Sequence, residues 1–199
     1  MKAIPVRTAA ALALLLALGA CGGKASFDLS GVLVDTLGAP KPLANAGLVL
    51  ANGDQRLSVP VGATTFKFAN AISYGTEYAM TVSAQPRHMT CAFAGGASGT
   101  AGRTATISAT LLCTQNAWTV GGIVTGLGSD TLELVNGTDK LTVTQAKTDF
   151  TMPTAVPDGT VYGITVLKQP AGQTCTVANG TDVMGEAPRN NIVVTCTNN

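Results

Sequence analysis

The sequence predicts an all-β protein: two tandem, small antiparallel β-sandwiches, each with one disulfide. Three observations carry that expectation. Apolar residues recur with period two and not 3.6. The chain contains an internal duplication. Four of its five cysteines fall at equivalent places in the two copies.

Taken in order along the 199 residues, residues 1–20 come first and read as an export signal. Lys2 and Arg7 supply a positive leader, and the apolar run TAAALALLLAL at 8–18 is too short to cross a bilayer as a helix of about 20 residues. The run closes on Leu18-Gly19-Ala20-Cys21, which resembles the bacterial lipobox of an aliphatic residue, two small residues and a cysteine. The resemblance implies that Cys21 becomes the N-terminus and carries a diacylglycerol thioether and an acylated amine, palmitate-type chains worth ~0.8 kcal/mol per buried CH2. The alternative is an ordinary signal peptide that leaves Cys21 a stray thiol. Residues 21–26 form a flexible tether, and Gly22 after the cysteine resembles lipoproteins sorted to the outer membrane, on its periplasmic or its surface face. Removing 1–20 takes out Lys2 and Arg7, leaving 10 basic and 11 acidic residues, a net charge near −1.

Residues 48–91 align without a gap onto residues 132–175 at an offset of 84, with 18 of 44 positions identical. Asn52-Gly53 matches Asn136-Gly137, Phe66 matches Phe150, Gly75-Thr76 matches Gly159-Thr160, and Tyr78 matches Tyr162. Gln85-Pro86 and Thr90-Cys91 match Gln169-Pro170 and Thr174-Cys175. The expected units are therefore residues 27–113 and 117–199 with 114–116 as linker, each the size of one small domain. Copy one carries seven extra residues within 35–46.

Within each copy the alternation is that of strands. Ile107, Ala109, Leu111 and Cys113 share one face, as do Ile192, Val194 and Cys196; Tyr78, Met80 and Val82 repeat as Tyr162, Ile164 and Val166. The Asn-Gly pairs predict tight hairpins, and the 28 threonines suit strand surfaces. Roughly seven short strands per copy argue a sandwich. With Cys21 set aside, only the pairing Cys91–Cys113 and Cys175–Cys196 gives both copies the same bridge. Such bridges form in an oxidising compartment, and each contributes about 3 kcal/mol in the chain-entropy model.

Composition excludes several function classes. Charged residues are 12% of the chain with no basic cluster, against the phosphate-neutralising surface that nucleic-acid binding needs. One histidine, scattered carboxylates and no Cys-x-x-Cys leave little for a metal or cofactor, and none is expected. His88, in the turn 85–91, has Gly172 as its counterpart and reads as a solvated loop residue. Ser98 in Gly95-Gly96-Ala97-Ser98-Gly99 lacks nucleophile-elbow spacing and reads as a Gly-rich hairpin loop. Asp149, Asp158, Asp182 and Glu186 lack calcium-loop spacing and read as solvated loop ends. Asn136-Gly137-Thr138 and Asn179-Gly180-Thr181 read as turn chemistry, and Tyr78 and Tyr162 as packing at the start of a central strand.

The repeated string of Asn-Gly, Leu-x-Val, Phe, Gly-Thr-x-Tyr, Gln-Pro and Thr-Cys resembles a repeat domain of Gram-negative surface lipoproteins. Its most specific stretch is Gln169-Pro170-Ala171-Gly172-Gln173-Thr174-Cys175; copy one departs from it at Arg87-His88-Met89. More loosely, Gly31 to Asp35, Gly38-Ala39-Pro40 and Ala46 to Leu50, with Phe66, Phe68, Gly75 and Tyr78, are similar to carboxypeptidase-regulatory-like domains. These resemblances imply prealbumin- or immunoglobulin-like sandwiches without catalytic residues. The expectation is a non-enzymatic module of structural or adhesive role, anchored to the outer membrane by an N-terminal lipid, with an unidentified envelope protein or glycan as partner. A carbohydrate- or peptidoglycan-binding module and an accessory subunit of a secretion or pilus assembly are the alternatives. The loop 35–45, stiffened by Pro40 and Pro42, is the place to look for a contact site.

Overall fold

A computed structural model of the chain describes residues 25–128, 130–145 and 147–199; Cys21 and the leader lie outside the described residues. The first copy runs β1 (Ser26–Phe27), β2 (Leu29–Val34), β3 (Val49–Asn52), β4 (Gln55–Ser58), β5 (Thr65–Lys67), β6 (Ile72–Ser73), β7 (Glu77–Ala84), β8 (Met89–Gly95), β9 (Ser98–Thr100) and β10 (Ile107–Gln115). The second repeats it as β11 (Ala117–Trp118), β12 (Val120–Thr125), β13 (Leu132–Asn136), β14 (Asp139–Val143), β15 (Asp149–Thr151), β16 (Val156–Pro157), β17 (Val161–Lys168), β18 (Gln173–Ala178), β19 (Thr181–Val183) and β20 (Arg189–Asn198). Each copy stacks two four-stranded sheets, β5-β2-β10-β8 on β4-β3-β7-β9 and β15-β12-β20-β18 on β14-β13-β17-β19, with a two-stranded ribbon at one end (β1-β6, β11-β16). The protein is all-β, and each sandwich holds one disulfide, Cys91–Cys113 or Cys175–Cys196.

The period-two faces meet between the sheets. Ile107, Ala109, Leu111 and Cys113 of β10 point inward onto Leu50 and Met80 of the opposite sheet. Ile192 and Val194 of β20 do the same with Leu134, Tyr162 and Ile164. Copy one fills its core with edge-to-face contacts of Phe66 to Phe68 and Phe93, the aromatic geometry favoured by the ring quadrupole.

Two details differ from the sequence expectation. The sandwiches are not wholly antiparallel: β2 lies parallel to β10, and β12 parallel to β20. A parallel pair needs a long connection, and here the connection is the rest of the unit. Each sandwich also has eight sheet strands and not seven, because the three-residue edge strands β9 and β19 are too short to show a period.

The Asn-Gly hairpins form as expected, with a division of labour between the two residues. Asn52 pairs with Gln55 and Asn136 with Asp139, so each asparagine ends a strand while Gly53 and Gly137 take the positive φ of 55° and 61°. The freed asparagine side chains accept the N–H of Ala79 and of Gly163, tying each hairpin to β7 or β17.

Candidate functional site

The most specific repeated motif serves the backbone. The Gln85 amide donates to Cys91 O and accepts from Cys91 N (3.0 and 2.7 Å); Gln169 does the same with Cys175 at identical distances. Each glutamine thus acts as a one-residue strand partner across its turn, fixing the cysteine in register for its bridge. Thr90 Oγ1 donates to Asn116 Oδ1, and Thr174 Oγ1 to Asn199 Oδ1. Gly75 and Gly159 supply the positive φ of type II turns, closed by Thr76 N to Ser73 O and Thr160 N to Pro157 O.

Most residues singled out in the sequence stay apart. Ser98 pairs with Ala79 near the start of β7, whereas His88 lies beyond the end of that strand. Asp149, Asp182 and Glu186 are exposed. Tyr162 is buried and Tyr78 half-buried in the cores. Burial and the nearby Asp182 push the Tyr162 phenol up, against an opposing effect of Arg189. In the loop 35–45, Asp35 Oδ1 accepts the N–H of Leu37 and of Ala39, and Leu43 is buried in the core. Its tip presents Leu37, 91% exposed. Among the described aromatic residues Tyr74 is exposed, while Tyr78, Tyr162, Trp118 and Phe93 pack against the cores.

His88 and Asp158 are the corrections. Neither is a solvated loop residue. His88 Nδ1 donates to Asp158 Oδ1 at 3.0 Å across the joint between the sandwiches, and a carboxylate partner requires the proton on that nitrogen. The Asp158 side chain is 0% exposed and the imidazole 39%. The imidazole lies over Gly159, within 3.2–3.3 Å of where a Cβ would stand there. Around this pair, Gln115 Nε2 donates to Asp158 O, and Asp158 N donates to Asn116 O, both at 2.8 Å.

The joint is short because almost no chain separates the copies: β10 runs to Gln115 and β11 begins at Ala117. The sequence held a signal that a reading of single motifs missed. At the 84-residue offset His88 corresponds to Gly172, and Asp158 to Tyr74. The copies differ at two positions that touch each other.

At the far pole of copy two, Asp130 accepts the N–H of Ala171 and of Thr131. These bonds, Ala171 first, hold its carboxyl below the usual aspartate range, helped by Lys168.

No family model matches the chain, and no curated protein matches it in sequence. Among solved structures it is similar to the Bacillus anthracis TIE protein, with a TM-score of 0.52 and 13% identity over 86% of this chain. The chain spans about a third of that protein's length, 34%. It also aligns with the major pilin protein T-13 of Streptococcus pyogenes (TM-score 0.34, 13% identity, 89% of this chain and 98% of that one). A third is the C-terminal fragment of the pilus adhesin SpaC from Lactobacillus rhamnosus (TM-score 0.38, 11% identity, 85% and 96%). At these identities the likeness is one of fold, and the first of the three carries it.

Proposed function

We propose that the protein is a non-enzymatic surface module of structural or adhesion type, an end-on stalk of two sandwiches tethered to the outer membrane through a lipid on Cys21. The path of the chain is the observation that supports this reading. In each sandwich the first core strand and the last lie side by side and parallel over five or six registered residues. The chain therefore enters at one pole and leaves at the other. At the outer pole of copy one Tyr74 N donates to Ala25 O, and at the outer pole of copy two Asn199 N donates to Gly172 O, both at 3.0 Å. The His88–Asp158 joint lies between. Tension along this path slides parallel strands past one another and loads their hydrogen bonds together, and the disulfides limit how far either unit can extend. A lipid at Cys21 leaves by the Ala25 pole and puts copy two outermost.

Growth with an alkyne-tagged palmitate followed by fractionation tests the anchor. The full chain is expected to take up the tag and sediment with outer membrane, and a Cys21→Ser variant to do neither. An untagged wild-type chain, or tag retained in the variant, overturns the reading.

A further inference from the structure

We propose that the His88–Asp158 contact is a latch confined to the inner joint, which holds the two sandwiches in one relative orientation and which neither outer pole can reproduce.

The backbone gives the first argument. His88 adopts φ 60°, and its counterpart Gly172 adopts φ 69°. The turn has the same shape in both copies, and glycine is the residue that enters this region freely. A Cβ there is disfavoured. Copy one nevertheless places an imidazole at the turn, and a side chain held in a left-handed turn points to a role for that side chain.

Burial gives the second. Asp158 O and Oδ1 accept from Gln115 Nε2 and His88 Nδ1 on the other side of the joint, whereas Asp158 N bonds to Asn116 O beside β11 as Tyr74 N bonds to Ala25 O beside β1. The carboxylate's bond thus crosses the joint, and its side chain is fully buried there. Oδ2 is buried with no partner among the described residues, so among them the His88 N–H is this carboxylate's one hydrogen-bond donor. Burying a carboxylate without a donor is strongly unfavourable. With His88 in place closure is favourable, and without it the carboxylate drives the joint open toward water.

The outer poles give the third. The turn at the far end of copy two has Gly172, with no side chain to donate. The top of copy one has Tyr74, 70% exposed and without a carboxylate. A neighbouring charge differs as well: Arg87, beside His88 at the joint, corresponds to Ala171 at the outer pole. The contact therefore specifies which pole meets which.

The test uses the full chain in detergent. In His88→Gly, the side-chain amide protons of Gln115, which donate to Asp158 O across the joint, are expected to exchange at least ~10-fold faster. The amides of Leu111 and Ile164 in the two cores should keep their wild-type rates. Adding Asp158→Asn removes the charge that drives opening and should restore part of the protection, which loss of a mere packing contact does not do. Small-angle scattering should fit one conformer for the wild type and require several orientations for His88→Gly. If His88→Gly does not fold, His88→Asn, also tolerant of this φ, is read in the same way. Unchanged Gln115 side-chain exchange with single-conformer scattering overturns the latch, as does an Asp158→Asn second change that restores nothing.

Discussion

Copy one and copy two share backbone devices and differ in what fills them. The side chains that bond to main chain recur: Asn52 and Asn136, Gln85 and Gln169, Thr90 and Thr174. The cores do not. Where copy one sets Phe66 edge-to-face with Phe68 and Phe93, copy two has Phe150, Met152 and Val177. Copy two also buries polar atoms with no partner among the described residues: Trp118 Nε1, Tyr162 OH and Arg189 Nε. The poles differ most, because one of each copy faces its sister and the other does not. Main-chain geometry tolerates few substitutes, a core tolerates any filling of the right volume, and a pole follows its partner.

The bridges break the comparison most strongly. Replacing Cys91 and Cys113 by alanine should cost about 3 kcal/mol, and replacing Cys175 and Cys196 the same, since the loops span 22 and 21 residues. Calorimetry of the two double variants should show the loss mainly in the transition of the altered copy.

A smaller effect is expected at the paired glycines. Gly31 lies opposite Phe66 and Gly122 opposite Phe150. A Cβ at Gly31 meets the Phe66 ring and Ala109 O, whereas one at Gly122 meets only backbone of Ile192. Both alanine variants should lose about 1–3 kcal/mol in urea unfolding, Gly122→Ala the more, because its Cβ would stand 1.8 Å from a backbone oxygen against 2.2 Å at Gly31.

The smallest effect has the opposite sign. Tyr162→Phe removes a buried hydroxyl without a partner among the described residues and should gain up to ~1 kcal/mol at neutral pH. The raised phenol of Tyr162 means that the folded state favours its neutral form. That contribution is complete below the ordinary tyrosine range and is lost as pH rises through the raised value. Tyr162→Phe should therefore flatten the alkaline limb of the stability curve, and a limb as steep as the wild type's would contradict the burial of that hydroxyl.

Much of this fold was legible in the sequence because period and repetition are local signals. The faces of β10 and β20, the hairpins at Asn52 and Asn136 and both cysteine pairs follow from them. What was illegible depends on pairing at a distance. Nothing near Leu29 says that its strand will lie parallel to one beginning at Ile107. His88 and Asp158 are polar residues in turns, and solvated is the ordinary fate of such residues. Their contact, between residues 70 apart in the chain, forms only where the two poles meet. The trace of that contact was in the mismatches between the copies and not in the motifs they share.

The side-by-side first and last strands also set a timetable. As the chain emerges from its N-terminus, Leu29–Val34 can pair with Thr65–Lys67 on one side but waits for Ile107–Gln115 on the other. Both cysteines of each unit arrive in its last third, so oxidation seals a nearly finished sandwich. Contacts this distant in sequence are slow to form, and His88 meets Asp158 only after 70 further residues have followed it out. The chain is thus assembled from one end, with each unit completed by its final strand.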